Sequence, residues 1–492
     1  MNIVIATSPA VDDKHGVRSL PPLSIGYIAA GARTVPDSNV KIVDAYGEGL
    51  DTAQAAERIL ALSPDVVAVS ATSMCYRSAL AMIGTIKERK PDTVTVLGGY
   101  HATMFDRLLL EETPALDYVI RGEGDLSFPA LCIALKDNTA LAEVAGLSFR
   151  DGDAIVSGVP QQVEDLDALP YPDRAALDYD GYFHQFGGFI LPKLEPIANL
   201  VSSRSCPYHC TFCPKMFPEW TYRTRSAESL FAELEELYAN GIRIGFFQDE
   251  NFSHDTKRLE KLCRMILDSG MKMRFMFQGT IHHLSQETFD LLHKAGFDGL
   301  FVGIESGSDD QLRRYRKPGS SRQLAEAVRR AKKAHMIVIG FFIHGGQGET
   351  LKDSAKTQDF IREVRPHVAG GSALGIQPGS ILWDEVAEPR IPACLAETNM
   401  QPIHRYEKIQ TKIGVKMRKK GFEKAFADSW RTPARVGEVL DLLLYNGLVK
   451  IGLKKALMSP AKTLRVIGHV LFAEKIRGID FEKSKYASRQ SG

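Results

Sequence analysis

Arg204-Ser205-Cys206-Pro207-Tyr208-His209-Cys210-Thr211-Phe212-Cys213 holds three of the seven cysteines of a 492-residue chain within eight positions. The run Ile197–Ser203 leads into it, so the thiols fall on a loop at the end of a predicted strand. Their spacing is C-x3-C-x2-C. Thiolates so placed can hold three irons of a 4Fe–4S cluster, for which cysteine is the usual ligand. With no fourth cysteine nearby, one iron stays open to a ligand, by the logic that leaves catalytic zinc a free position. The alternative is a structural zinc with His209 or a distant histidine as fourth ligand. Zinc ligands usually arrive as two pairs on separate elements, whereas these three share one loop. Cys75, Cys132, Cys263 and Cys394 stand alone and read as ordinary thiols.

Downstream of the loop, Ser226 can N-cap a helix with an apolar stripe of Leu230, Leu234, Leu237 and Tyr238, stopped by Asn240-Gly241. Strands are expected at Ile197–Ser203, Ile242–Phe247, Met273–Phe277, Leu300–Ile304, Ile337–Ile343 and Ser372–Ile376. Six strands with intervening helices predict a partial (βα)6 barrel, with its chemistry at the C-terminal strand ends. Upstream, β-branched runs at Ile3–Ala6, Val40–Val43, Val66–Ser70, Val94–Leu97 and Tyr118–Ile120 alternate with helical stretches at Ile25–Arg33, Ala53–Leu62 and Ala79–Arg89. That alternation predicts a doubly wound parallel sheet, which binds ligands beyond its carboxyl edge. Small and polar residues collect there: Thr7-Ser8, Asp44, Ser70-Ala71-Thr72, Gly98-Gly99-Tyr100-His101 and Arg121-Gly122-Glu123-Gly124. The expected class is α/β throughout. Residues 1–145 form the first sheet, 146–196 a hairpin around Asp151-Gly152 and an aperiodic linker, 197–385 the barrel, and 386–492 a basic helical module.

With these residues in view, the chain is similar to the radical S-adenosylmethionine (SAM) superfamily. The cysteine loop with Phe212 before its last thiol resembles that family's cluster loop. Gln248-Asp249-Glu250-Asn251-Phe252 resembles its acidic motif for the SAM amino group, Gly303-Ile304-Glu305-Ser306-Gly307 a SAM-binding strand end, and Gly345-Gly346-Gln347-Gly348-Glu349-Thr350 its Gly-x-Gly-Glu-Thr loop. The resemblance implies that Cys206, Cys210 and Cys213 hold the cluster. It further implies that Phe212, Asp249, Glu250, Glu305, Ser306, Gly345 and Gly346 bind SAM, whose reductive cleavage yields a 5′-deoxyadenosyl radical. Carboxylates there can take a charge-assisted hydrogen bond from the SAM ammonium, and the glycines permit close approach of backbone.

Pro21-Pro22-Leu23-Ser24-Ile25-Gly26-Tyr27, Gly98-Gly99-Tyr100-His101-Ala102-Thr103, Arg121-Gly122-Glu123-Gly124-Asp125 and Leu169-Pro170-Tyr171-Pro172 resemble the subset with an N-terminal cobalamin-binding fold. On that likeness Ser70, Thr72, Gly98, Gly99, His101, Gly122 and Glu123 are the cobalamin contacts. Asp13-Lys14-His15 offers the start of the D-x-H-x-x-G cobalt-ligand motif, but Arg18 stands where glycine belongs, and the radical subset commonly lacks a protein ligand to cobalt. A vestigial or substrate-binding domain is the other reading of this sheet.

The resemblance implies an enzyme that methylates an unactivated carbon through methylcobalamin. Its runner-up is a non-methylating radical reaction, such as oxidative cyclisation or ring rearrangement, on a tetrapyrrole, lipid or natural-product intermediate. A transfer-RNA methylthiotransferase would need three further N-terminal cysteines, and only Cys75 and Cys132 lie there. A purely redox-sensing cluster would not explain four aligned motifs. The implied partners are a small-molecule substrate and an external one-electron donor of flavodoxin or ferredoxin type.

Composition sets the bounds. An apolar fraction of 44% and a charged fraction of 25% are globular values, and a net charge of +1 gives no overall field to recruit nucleic acid. Residues 395–492 nevertheless carry 20 Lys/Arg against 9 Asp/Glu. Lys408, Lys412, Lys416 and Lys420 form a basic stripe on a helix, and Leu448–Leu471 mixes apolar residues with lysines. These are expected to be solvated faces of helices packed on the barrel, with peripheral membrane contact as the alternative. Met1–Ser8 lacks the basic, long apolar pattern of a signal peptide, and no apolar run reaches spanning length, so a soluble, cytoplasmic chain is expected.

Overall fold

The computed structural model describes residues 1–9, 20–177, 197–386, 412–430, 437–438, 441–442 and 444–446. His15, Cys394, Lys408 and Leu448–Leu471 lie outside the described residues.

The first sheet contains β1 (Asn2–Thr7), β2 (Asn39–Val43), β3 (Val66–Ser70), β4 (Val94–Gly98), β5 (Tyr118–Ile120), β6 (Leu147–Asp151) and β7 (Ala154–Ser157), in the order β2-β1-β3-β4-β5-β6-β7. The first five are parallel. Helices cover both faces, so strand residues alternate between two cores: Val66 and Ala68 join one, Val67 and Val69 the other. The hairpin expected around Asp151-Gly152 is present, and it adds antiparallel to β5, so it extends the sheet rather than standing apart with the linker.

The second sheet contains β8 (Ile197–Leu200), β11 (Ile244–Phe247), β12 (Arg274–Gln278), β13 (Phe297–Glu305), β14 (Ile337–His344) and β15 (Val368–Ala373), all parallel and hydrogen-bonded in that order. Between β8 and β11 the short strands β9 (Ser203–Arg204) and β10 (Arg223–Thr224) pair antiparallel. Phe247, Phe275, Phe277 and Phe297 face the helices, while Ile197, Ile244, Phe246 and Met276 form a separate inner core. The helix Ala227–Ala239 starts where expected: Ser226 Oγ accepts the Ser229 N–H at 3.0 Å, and Leu230, Leu234 and Leu237 are buried. β11 begins two residues later than predicted because the Ile242 N–H still closes that helix onto Leu237 O at 3.0 Å.

Two expectations need correction. The last strand is Val368–Ala373, not Ser372–Ile376. Gly370 and Gly371 discouraged a strand there, yet each takes a ring on its face: an added Cβ would meet Phe341 at 3.0 Å and Phe422 at 2.7 Å respectively. The described part of the linker is packed. Val163, Leu166 and Leu169 are buried together, Tyr171 Oη donates to Ser229 O at 3.0 Å, and Asp173 pairs with Arg33 at 2.6 Å. The helix Lys412–Trp430 buries Phe422 and Ala425 on the barrel's outer core, with Phe422 5.5 Å from Phe342. Among the described residues no helix is long and apolar enough to cross a membrane.

Candidate functional site

The cysteine loop is held at both ends. Pairing of Ser203 and Arg204 with Thr224 and Arg223 closes its base. Farther along, the Thr211 N–H donates to Tyr315 O at 2.9 Å, the Leu382 N–H to Thr211 O at 2.9 Å, and the Lys215 N–H to Gly379 O at 3.0 Å. Phe212 meets the Tyr315 ring edge-on at 5.2 Å and packs beside Ile343, Leu374, Ile376, Leu382 and Trp383. The three thiols lie within electrostatic reach of one another. Burial raises the Cys206 thiol and pushes Cys210 up to about 11 and Cys213 up to about 12. Among the described residues no three Cys, His, Asp or Glu side chains converge as the ligands of one ion must. His209 turns its Nε2 toward Lys215 Nζ at 3.4 Å. Three thiols spread over one loop fit a multi-iron cluster better than a single zinc.

The acidic strand end after β11 divides its labour. Asp249 is buried and its carboxylate is fully engaged: it accepts from the Ser202 N–H at 3.0 Å, Ser202 Oγ at 2.6 Å and Ser203 Oγ at 2.5 Å. Burial pushes its carboxyl up, against those bonds and the charge of Arg258. It braces the β8–β11 loops and also borders the space between the two sheets. Glu250 opens onto the space between the two sheets, and the surrounding protein still raises its carboxyl by burial.

Glu305 closes β13 at φ 65°, in the left-handed region, and pairs with Lys317 Nζ at 3.1 Å. Ser306 is occupied by Thr357 Oγ1 at 3.0 Å and by the Ser308 N–H at 3.1 Å. Glu349 pins the glycine loop after β14, accepting the N–H of Gly345 at 2.5 Å and of Gly346 at 3.0 Å. A Cβ on Gly346 would strike the Tyr315 hydroxyl and, at 2.5 Å, Gln311 Nε2, so its smallness serves protein packing. Ser306 and Gly346 thus serve the protein's own packing, while Glu250 lines the space between the sheets.

A cleft of about 460 Å³ separates the carboxyl edges of the two sheets. One wall is Ser70, Gly98, Gly99, Tyr100, Gly122 and Glu123; the other includes Ser203, Lys215, Phe217, Trp220 and Glu250. Gly98 leaves its floor open, with no atom nearer than 3.9 Å to an added Cβ. Thr72 and His101 do not line it. Thr72 Oγ1 contacts Cys75 Sγ at 3.3 Å, and His101 is fully buried, stacked on Tyr76 at 3.8 Å with Nδ1 3.1 Å from Ser73 Oγ. Burial lowers the imidazole to about 4, so it is a neutral core residue. Gly122 lies under the Trp220 ring, 2.8 Å from an added Cβ. Glu123 is committed to Arg223 at 2.8 Å and to the Val163 N–H at 2.7 Å. Gly98 has the open, close-approach character a bulky corrinoid requires, whereas Gly99, at φ 94°, packs against Ala71, whose carbonyl oxygen lies 2.7 Å from an added Cβ.

Residues missed from sequence also build the site. Arg204 pairs through two hydrogen bonds with Asp125, at 2.7 and 2.9 Å, and joins Arg223 in tying the first sheet to the barrel. Tyr100 donates from Oη to Pro378 O at 3.3 Å, and burial with Cys213 and Glu250 nearby raises its phenol. Lys317 is buried beside Cys206 and Cys210. Arg204 adjoins the cysteine motif and could have been noticed there; Lys317 has no local signal.

A three-thiol loop stands at the barrel's strand ends, and its flanking residues Ser205 and Pro214 share a cleft with the small-residue edge of the first sheet. The comparisons agree: residues 200–361 match the radical SAM superfamily and residues 17–132 the B12 binding domain. The chain thus carries a radical SAM domain, whose cofactors are a 4Fe–4S cluster and SAM, and a B12-binding domain, whose cofactor is cobalamin. It is 28% identical over 371 residues to an uncharacterized methyltransferase of Pyrococcus horikoshii, covering 74% of this chain and 78% of that one. It is 27% identical to the anaerobic magnesium-protoporphyrin IX monomethyl ester cyclase of Cereibacter sphaeroides, spanning 75% of this chain and 61% of the cyclase. The fold is shared with the methyltransferase TsrM of Kitasatospora setae, at TM-score 0.67 and 17% identity over 94% of this chain and 99% of that one. It is shared also with OxsB, at TM-score 0.64 and 21% identity over 78% of this chain and 55% of that one.

Proposed function

We propose that the chain is a cobalamin-dependent radical SAM methyltransferase that acts on an unactivated carbon of a small molecule. The observation that carries this reading is the cleft shared by Ser70, Gly98 and Gly99 of the first sheet with Ser205 and Pro214, which flank the cysteine motif, and Glu250 of the acidic strand end. When bound, the cluster, SAM and cobalamin supply the one-electron and methyl-transfer chemistry, which side chains cannot provide for an unactivated C–H bond. The chain's residues do the holding. Cys206, Cys210 and Cys213 hold the cluster and Phe212 packs its loop. Glu250 and Glu305 supply carboxylates to SAM, Gly345 lets backbone approach it, and Ser70, Gly98 and Gly99 cradle the corrinoid. Trp220 and Phe217, stacked at 4.2 Å, give the cleft an apolar aromatic wall.

Relatives named methyltransferases support methyl transfer, including the hopanoid C-3 methylase of Methylococcus capsulatus at 26% identity. The cyclase relatives favour the second reading, a non-methylating radical reaction on a tetrapyrrole, lipid or natural-product skeleton. Electrons come from an external one-electron donor of flavodoxin or ferredoxin type.

The deciding experiment purifies the protein without oxygen from cells able to take up cobalamin. Near-stoichiometric corrinoid, and a labelled methyl group passing from SAM to bound cobalamin and then to product, is the expected result. An intact cluster without corrinoid would overturn the reading.

A further inference from the structure

The cysteine loop has two sides. Ser205, Pro214 and Lys215 line the cleft, where cofactors and substrate belong. Cys210 and Thr211 do not line it and rest instead on a second segment. The Thr211 N–H donates to Tyr315 O at 2.9 Å, its hydroxyl donates to Arg314 O at 3.3 Å, and Cys210 Sγ lies 3.9 Å from Arg316 O. That segment reads Arg313-Arg314-Tyr315-Arg316-Lys317, a cation at every position but one. Arg316 takes φ 50° where it meets Cys210, left-handed without being glycine. Such conformations cost energy and persist where a site over-determines them.

Backbone atoms make these contacts, so the charged ends are left for other partners. Lys317 turns inward to Glu305 at 3.1 Å, but all three arginines are exposed. Arg313 shares the Asp310 carboxylate with Lys356, so two cations stand on one acid. Arg314 reaches the buried Asp353 at 3.5 Å. Arg316 makes no ion pair among the described residues. Asp309, the other acid of the helix Asp309–Arg314, is exposed and accepts the Ser321 N–H at 2.6 Å. Exposed Arg313, Arg314 and Arg316 therefore outweigh Asp309 and Asp310, and this positive surface lies one backbone layer from Cys210.

We propose that the surface of residues 313–316 is the docking face for an acidic one-electron carrier protein, which delivers its electron on the Cys210 side of the loop. This rests on the cluster reading above. In the step the carrier is oxidised by one electron and the cluster is reduced by one, and no bond forms or breaks. Docking here leaves the cleft on the other side of the loop free for the remaining cofactors. Opposite charges across such a face steer encounter and fix orientation more than they add affinity, so the effect is read in a rate and its salt dependence.

The test follows bleaching of the cluster's visible absorbance in the anaerobically reconstituted full chain. Two reductants are compared: the hydroquinone of an acidic flavodoxin, and dithionite, which is too small to need a docking face. Arg313→Glu/Arg316→Glu is expected to slow reduction by the flavodoxin roughly tenfold or more at low salt, and to change the dithionite rate by no more than about twofold. Arg316→Gln, a milder change, should show a smaller loss in the same direction. The gap from wild type should close as salt rises to about 0.5 M, where exposed charges are screened. Arg58→Glu, an exposed reversal in the helix Thr52–Leu60 of the first sheet, should leave both rates as they are. Equal losses with both reductants, no loss with the flavodoxin, a loss that salt does not close, or the same loss for Arg58→Glu would overturn the docking face. Absence of a cluster that dithionite can bleach in the wild type would instead overturn the reading beneath it.

Discussion

Asp249 and Glu250 are adjacent acids with different surroundings, and substitution should separate them. Asp249→Ala strands the Ser202 N–H and the hydroxyls of Ser202 and Ser203 in the interior, at a cost of about 3 kcal/mol or more. It should lower the melting temperature and deplete folded protein. Glu250→Gln disturbs no hydrogen bond among the described residues, so the melt should hold while SAM affinity falls; calorimetry on both variants checks this. Cys210→Ala should remove the cluster and all reductive SAM cleavage, read from iron content and 5′-deoxyadenosine release. His101 gives a pH signature. Its folded-state value of about 4 lies below the unfolded value near 6.5, so the unfolded chain binds the proton more readily. The stability it contributes is complete above pH ~6.5 and is lost as pH falls toward 4, about 3 kcal/mol in all. Melting curves of His101→Phe across that window should be flatter than those of the wild type. The cluster cysteines were plain in the sequence because their chemistry depends on spacing. Ser306, Gly346 and His101, which do not line the cleft, were not separable from residues that do, because motif position says nothing about which way a side chain turns.

At the scale of elements, β-branched runs marked the buried parallel strands well, and the Ser226 cap marked a helix start. The misplaced β15 shows where pattern reading fails. A strand that receives rings on both faces needs glycine, and glycine is what local propensity counts against a strand. The same contact predicts a consequence for the basic helix Lys412–Trp430. Phe422→Ala removes the ring that covers Gly371 and touches Phe342, a loss of about 3–5 kcal/mol. Limited proteolysis should then cut near residue 412 sooner than in the wild type, leaving the rest of the barrel resistant.

The whole molecule depends on a buried charge cluster at the junction. Arg204 with Asp125, and Arg223 with Glu123, join the first sheet to the barrel beside the cleft. Arg204→Met would leave Asp125 without its partner, a cost of about 3–5 kcal/mol. Corrinoid retention, which needs both walls, should drop well before iron content, which needs only the cysteine loop; absorbance and iron assay on one preparation decide it. These pairs also impose an order on biosynthesis. Asp125 waits for a partner 79 residues downstream and Glu123 for one 100 residues downstream. While the ribosome is still making the barrel, both carboxylates are hydrated surface charges on a sheet whose parallel strands are already in place. Docking then strips their water in one late step, so the junction matures only after the loop that carries the thiols has been made.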